Sequence, residues 1–322
     1  MKVLVVTNMY PTAEWPAFGT FVHDQVEALR RAGAAVDVFF VNGRASALNY
    51  LWGQIRLWLH LRREQYDLIH AHYVLSGVLA RAQWGCPVVL THHGPELLGH
   101  PRWQTWLARL VTPLFDQTIY VSEEGRQALG DDDGWVVPCG VDLDAFGPIP
   151  REEARARVGL PADRPLVLWA GEYWRPEKRF DLVEAAMEQV KAAMPDAELV
   201  LLTKKPHDVV PTYMSACDAL LLTSDAEGSP MVVKEAMACN LPVVSVRVGD
   251  VPEVIGTTPG CALAERDPAD IAAKVVAVLQ RRQRTDGRDR MDHLRHDRIA
   301  QRLLEVYAAA VQPPRPQPEA VW

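Results

Sequence analysis

The sequence predicts an α/β protein of two doubly wound domains, and three observations carry that prediction. The chain opens on an apolar strand run, Lys2–Thr7, a long polar loop and an amphipathic helix, Thr20–Ala32, before a second strand run, Val36–Val41. This β-α-β order implies a parallel sheet with ligands at the carboxyl ends of its strands. A new run of the same kind begins at Leu166–Ala170, after a proline-rich, charged segment at 147–165. The length, 322 residues, suits two domains of ordinary size, each able to bury a core.

Composition narrows the function classes. Apolar residues make up 48% and charged residues 23%, the balance of a globular protein. A net charge of −7 leaves no basic footprint, so no nucleic-acid partner is expected. Five cysteines, at 86, 139, 217, 239 and 261, form no Cys-x-x-Cys pair. Neither a disulfide framework nor a zinc knuckle is expected, and a reducing cytosol suits them. The chain opens directly on KVLVVTN, which leaves no room for a signal peptide. No apolar run approaches the roughly 18 residues that span a bilayer. A cytoplasmic location is expected.

In the first domain, the loop after the first strand carries one glycine just before the helix, Gly19, where backbone can approach a ligand. No Gly-x-Gly-x-x-Gly follows the strand, which argues against a nicotinamide or flavin enzyme. Leu48–Arg63, LNYLWGQIRLWLHLRR, is apolar on most faces and ends in arginines. It reads either as a core helix or as a surface touching an anionic membrane, to which Trp103 and Trp106 can belong. Asp67–Gly77 is a short strand running into a helix, with His70 and His72 on one face. Cys86–Glu96 is another strand, ending at His92, His93 and Gly94. These four histidines fit no standard ligand spacing and have no evident carboxylate partners, so no metal is expected. Ser122 caps a helix whose first turn holds Glu123 and Glu124. Cys139 reads as a buried small thiol.

Within 147–165 a short helix, Arg151–Val158, suits an interdomain connection. The loop after Leu166–Ala170, GEYWRPEKRF, holds Arg175, Lys178 and Arg179, a cation cluster able to offset a diphosphate. Ala219–Leu222, closed by Thr223 and Ser224, is a buried strand. It leads into DAEGSPMVVKEAMACNLPVV, Asp225–Val244, where Ser229 is expected as N-cap and Pro230 in the first helical position. That helix runs to Ala238 and stops at Asn240, before Leu241-Pro242. Its free N–H groups, at 229–232, make an anion site such as a phosphate occupies. Glu227 and Glu235, with seven residues between them, bracket it. A carboxylate accepts from paired hydroxyls, so the constellation suits a sugar nucleotide. Asp267–Arg282 and Arg298–Val311 are helices, Asp286–Arg298 is expected to be solvated, and 312–322 to be disordered.

Several segments resemble one family. EGSPMVVKE, D-x-I-H-x-H at 67–72, T-H-H-G at 91–94, WVVPCGVDLDAF and YMSACDALLLTS are similar to the retaining glycosyltransferases of family four, and the likeness runs to about Val311. It implies the GT-B fold: two Rossmann-like domains facing across a cleft, 1–147 for the acceptor and 166–297 for the nucleotide-sugar donor. A linker, 148–165, joins them, and the terminal helix, 298–311, crosses back onto the first. The implied reaction moves a hexosyl group from a nucleoside-diphosphate sugar to an acceptor hydroxyl, with retention and without a metal or other cofactor. The usual setting is cell-surface polysaccharide or glycolipid synthesis, with a saccharide or lipid-linked acceptor and at times peripheral contact with the inner face of the membrane. On the matching positions Glu227 lies beside the donor sugar, Glu235 binds the ribose, and Gly228, Ser229, Pro230 and Met231 face the sugar and phosphates. His93 lies beside the reacting carbon, His72 and Thr20 fall nearer the acceptor, and Gly19 and Gly171 nearer the donor. Lys178 matches the family's lysine. Glu172 stands at its usual arginine, with Arg175 the expected substitute. Catalytic roles thus fall on His93, Glu227, Lys178 and Arg175. The segment KKPHDVVP after Thr203 replaces several dozen residues of the family's pattern, so the second domain is expected to be unusually small. Two alternatives remain: a sugar-nucleotide epimerase on the same fold, and a non-catalytic nucleotide-binding relative.

Overall fold

The computed structural model describes residues 1–15, 18–83, 85–98 and 102–312. The proline-rich tail expected to be disordered lies, from residue 313 on, outside them. The chain begins β1 (Lys2–Thr7), α1 (Thr20–Arg31), β2 (Ala35–Phe40), α2 (Leu48–Leu61), β3 (Leu68–His72), α3 (Val74–Arg81), β4 (Val88–His92), α4 (Pro95–Leu98), α5 (Arg102–Val111), β5 (Gln117–Tyr120), α6 (Glu123–Leu129) and β6 (Trp135–Val136). These strands form one parallel sheet in the order β2-β1-β3-β4-β5-β6. Then follow α7 (Arg151–Val158), β7 (Leu166–Ala170), α8 (Phe180–Ala193), β8 (Glu198–Leu202), α9 (Val210–Ala216), β9 (Ala219–Leu222), α10 (Met231–Ala238), β10 (Val243–Val246), α11 (Val251–Ile255), β11 (Ala262–Ala264), α12 (Pro268–Arg281) and α13 (His296–Val311). The second sheet, also parallel, is ordered β11-β10-β9-β7-β8. The protein is thus α/β, with two Rossmann-like sheets.

Local chemistry explains the element ends. Ser122 caps α6 by accepting from the Gly125 N–H, and Asp267 caps α12 by accepting from Asp270. Gly19 precedes α1 at φ 77°, where a Cβ would lie 2.4 Å from the Met9 carbonyl carbon, so only glycine admits this turn. β3, β4, β9 and β10 are buried along their whole length. Buried strands are ordinarily apolar, and the polar side chains in β3 and β4 must therefore find partners inside. They do so around the site described below.

One expectation is corrected and one is qualified. As a core helix, α2 would bury most of its apolar residues. Instead it buries Gly53 and Leu57, while Leu48, Leu51, Trp52, Ile55, Trp58 and Leu59 stand exposed. The segment expected to be solvated, 286–298, is so at Asp286, Asp289, Arg290, Asp292, His293, Asp297 and Arg298, which stand exposed, but it is also a clasp. It forms two 3-10 turns, Gly287–Arg290 and Asp292–Leu294, that bury Met291 and Leu294. The Arg288 guanidinium donates to the carbonyls of Leu143 (2.7 Å), Phe146 and Ala238 (3.2 Å), and Val141 bridges to Arg295. A guanidinium can take such a place once backbone carbonyls receive it. After the clasp, α13 lies on α1 and touches β3, β4 and β5. Apolar contact consequently runs unbroken from the first sheet, through Val137–Phe146 and α13, into the second.

Candidate active site

Parallel strands deliver their following loops to one edge. In the second sheet β7 and β9 are neighbours, so the loops after them meet. Asp225 N–H donates to the Glu177 carbonyl (2.9 Å), and the Thr223 hydroxyl donates to the Lys178 carbonyl (3.0 Å). Gly171, at the end of β7, is fixed by the Thr203 hydroxyl on its carbonyl at 2.7 Å. This stitching brings the Lys178 ammonium to 2.5 Å from Glu227 Oε1. Arg175, expected in a cation cluster able to offset a diphosphate, is half exposed and paired with Glu177 at 2.5 Å. An acid two residues away neutralises it wherever no diphosphate competes.

Glu235 lies on α10, mostly buried, and its Oε1 accepts from His207 Nε2 at 3.1 Å. That contact holds His207 above its ordinary 6.5, with burial opposing. His207 comes from the shortened segment KKPHDVVP and was not singled out in the sequence, because nothing local links it to α10.

Ser229 does not cap α10. Pro230 occupies the cap position, the helix starts at Met231, and the Ser229 hydroxyl donates to Asp250 Oδ2 at 2.6 Å. Capping signals are local, whereas this hydroxyl is claimed by a buried charge more distant in sequence.

Across from α10 stands His93. Its Nε2 faces His72 Nδ1 at 2.9 Å, its ring packs on Phe21 (4.9 Å) and Tyr73 (4.6 Å), and its N–H donates to buried Glu96 at 2.8 Å. Burial, then the neighbouring imidazoles, hold His93 well below the usual histidine range. Burial pushes His72 down to about 3. Both rings are neutral at ordinary pH. His72, expected nearer the acceptor, is wholly buried behind His93 because β3 is an interior strand. His70 is buried too, bonded to the hydroxyls of Tyr307 on α13 and Thr91 on β4, each at 2.6 Å.

The two sides touch. A Cβ on Gly228 would lie 1.9 Å from the His93 carbonyl oxygen, so glycine is required for this approach. Glu124, expected only as a helix-dipole partner, reaches across to accept from the Gly249 N–H at 2.6 Å. Between the sides lies a cleft of about 150 Å³, walled by Phe21, Tyr73 and His93 on one side and by Glu227, Gly228 and Met231 on the other. Phe21 of α1 lines this cleft, as does Tyr73, which holds a positive φ of 70°. A tyrosine there is strained, and strain gathers at functional sites. Cys139, expected to be buried, is half-buried at the cleft wall. Thr20 begins α1 beside Gly19. Wider hollows, of about 390 and about 420 Å³, lie elsewhere and are lined by none of the candidate catalytic or binding residues.

Comparison with known proteins agrees with this architecture. The profile described as Glycosyltransferase Family 4 matches residues 18–145, and that of Glycosyl transferases group 1 matches 202–281. The D-inositol 3-phosphate glycosyltransferase of Geodermatophilus obscurus is 29% identical over 77% of this chain and 67% of its own. The putative teichuronic acid biosynthesis glycosyltransferase TuaC of Bacillus subtilis is 27% identical over 80% of this chain and 83% of its own. Among solved structures, sucrose-phosphate synthase from Thermosynechococcus elongatus superposes with a TM-score of 0.76 at 19% identity, covering 95% of this chain and 98% of that one. Anabaena HepE in complex with UDP and glucose gives 0.73 at 17%, covering 96% and 100%. At such identities these last two likenesses speak for the fold. Sequence segments, paired parallel sheets and relatives agree, and the chain belongs to the family-4 glycosyltransferases of GT-B type.

Proposed function

We propose that this glycosyltransferase moves a hexosyl group from a nucleoside-diphosphate sugar to an acceptor hydroxyl, with retention of anomeric configuration and without a metal. The observation that carries the proposal is the convergence of Glu227, itself paired with Lys178, and the start of α10 on a cleft whose far wall is a neutral His93. In this reading Glu235 accepts from the ribose hydroxyls, Glu227 from the sugar, and the backbone of Gly228–Met231 faces sugar and phosphates. Gly19 and Gly171 let backbone approach the donor, and Thr20 lies toward the acceptor. The Lys178–Glu227 pair opens as the diphosphate enters, leaving the ammonium to the phosphate. Arg175 turns from Glu177 in the same way.

The bond from the anomeric carbon to the diphosphate oxygen breaks while the acceptor oxygen attacks the same face. The departing phosphate oxygen takes the acceptor's proton. Lys178, Arg175 and the N–H groups at the start of α10 stabilise the charge that develops on the leaving group. His93 donates no proton, because its ring is held neutral. It contributes orientation and a hydrogen bond to the sugar. Relatives named for inositol phosphate and teichuronic acid support an acceptor in cell-surface polysaccharide or glycolipid synthesis. The exposed faces of α2 and α5, both packed on α3, support peripheral contact with an anionic membrane surface. No helix among the described residues is long and apolar enough to cross a membrane.

The test is turnover of a panel of UDP-, GDP-, ADP- and dTDP-hexoses against glycolipid and saccharide acceptors, with chelator present. Transfer with an α-linked product from an α-linked donor is expected. Inversion, or activity restored only by a divalent cation, would contradict the proposal.

A further inference from the structure

Lys234 sits between Glu227 and Glu235 in sequence, yet it does not face the cleft. It is entirely buried, and three acceptors surround its ammonium: Asp250 Oδ2 at 2.8 Å, the Cys139 carbonyl at 2.8 Å and the Ser229 hydroxyl. The cluster is tied further by Ser229 donating to Asp250 at 2.6 Å and accepting from the Cys139 N–H at 3.1 Å. Cys139 follows β6 of the first sheet, whereas Ser229, Lys234 and Asp250 belong to the second. The Cys139 residue is therefore gripped at both its N–H and its carbonyl by the opposite half of the molecule.

A buried ion pair is a poor source of stability, since desolvating both charges offsets their attraction, and well-packed apolar side chains often serve as well. What it does supply is direction. An ammonium donates to three acceptors, and here the third, the Cys139 carbonyl, is supplied only when the halves meet in this one register. That register puts the Gly228 backbone against the His93 carbonyl, and with it one wall of the cleft against the other.

We propose that Lys234 is a positioning residue: a latch that holds the Gly228–Met231 turn against His93 and so sets the closed geometry in which transfer occurs. The proposal rests on the glycosyltransferase reading of the same cleft. Because the donor is held mainly by the second half, loss of the latch spares donor binding and impairs the chemical step, which depends on placement of reacting atoms.

The experiment compares the wild type with Lys234→Met and with Lys234→Met/Asp250→Leu. The single variant strands a buried carboxylate, so the double variant, which replaces the whole pair by apolar side chains, carries the test if the single one unfolds. Hydrogen exchange is followed at the Cys139 and Asp250 amides and in strands β3 and β9. Affinity for UDP, GDP, ADP and dTDP is measured alongside kcat for whichever hexose donor turns over. The latch predicts faster exchange at Cys139 and Asp250 with the strands unchanged, a diphosphate Kd within about twofold of wild type, and kcat lower by about tenfold or more. Wild-type exchange and kcat would overturn it. So would a raised Kd with kcat intact, which makes Lys234 part of the binding site, or unfolding of both variants, which makes the pair a core element only. If the wild type turns over no donor, the transferase reading fails by itself, and exchange at Cys139 and Asp250 still decides the latch.

Discussion

Glu235 is 7% exposed and already holds a hydrogen bond from His207 at 3.1 Å. In the proposed reading, a ribose displaces that imidazole or shares the carboxylate with it. The contact raises the His207 pKa above its ordinary 6.5. A raised folded value means that the pair's contribution is fully present below about pH 6.5 and is lost as pH climbs through the raised value. His207 is nearly half exposed, so the pair contributes at most about 1 kcal/mol. Protonated His207 competes with the donor, and apparent donor affinity should rise with pH across that window. Titration calorimetry from about pH 5.5 to about pH 8.5 checks this. In His207→Ala the rise should vanish while affinity at high pH is kept, and an unchanged slope would sink the idea. A second residue-scale expectation concerns His93, held neutral by burial. His93→Ala should lower kcat/KM by about tenfold to about a hundredfold, with no shift of the acid limb of the pH profile.

At the scale of elements, α2 and α5 present Trp52, Trp58, Trp103 and Trp106 to solvent, each at least 49% exposed. Arg62 lies over Trp58, 4.6 Å from the ring, and keeps cationic charge beside this aromatic surface. Binding to vesicles containing anionic lipid, measured by flotation, should drop severalfold in Trp52→Ser/Trp58→Ser while the unfolding midpoint stays put. Equal flotation would dismiss the membrane contact. The same helices mark where sequence reading runs out. An apolar run with tryptophans on most sides looks alike whether it faces a core or a lipid, and only the neighbours decide. By contrast β9, the stop at Asn240 and the helix through Glu235 were legible, since strand runs, helix stops and the two-glutamate spacing are local. Ser229 was misread because its partners, Asp250 and Cys139, are remote in the chain. His207 and Tyr73 were missed for the same reason.

At the scale of the whole molecule, the two sheets and the family were readable from repeated strand-loop-helix order and a handful of motifs. The part that Arg288 plays in joining the halves was not. Arg288, in a segment that looked merely charged, receives three carbonyls from Leu143, Phe146 and Ala238 and so ties the 143–146 stretch to α10. Arg288→Ala would leave those carbonyls without their donor, at a cost of about 2 kcal/mol or more. The thermal midpoint should fall, and an unchanged midpoint would mean that water replaces the guanidinium at no cost. Arg288 joins the 137–146 stretch to α10 and Asn240, while Lys234 joins it to Asp250. The first link meets the C-terminal end of α10 and the second its N-terminal end beside the turn that walls the cleft, so α10 is tied to the 137–146 stretch at both ends.

The central claim is that a nucleoside diphosphate binds at this turn through Glu235. It is tested most directly by calorimetric titration of UDP, GDP, ADP and dTDP into wild type and Glu235→Ala, with and without chelator. One diphosphate should bind the wild type regardless of chelator and bind the variant about tenfold more weakly or worse. Binding of none of them, or equal binding to both proteins, would contradict the assignment of the donor site.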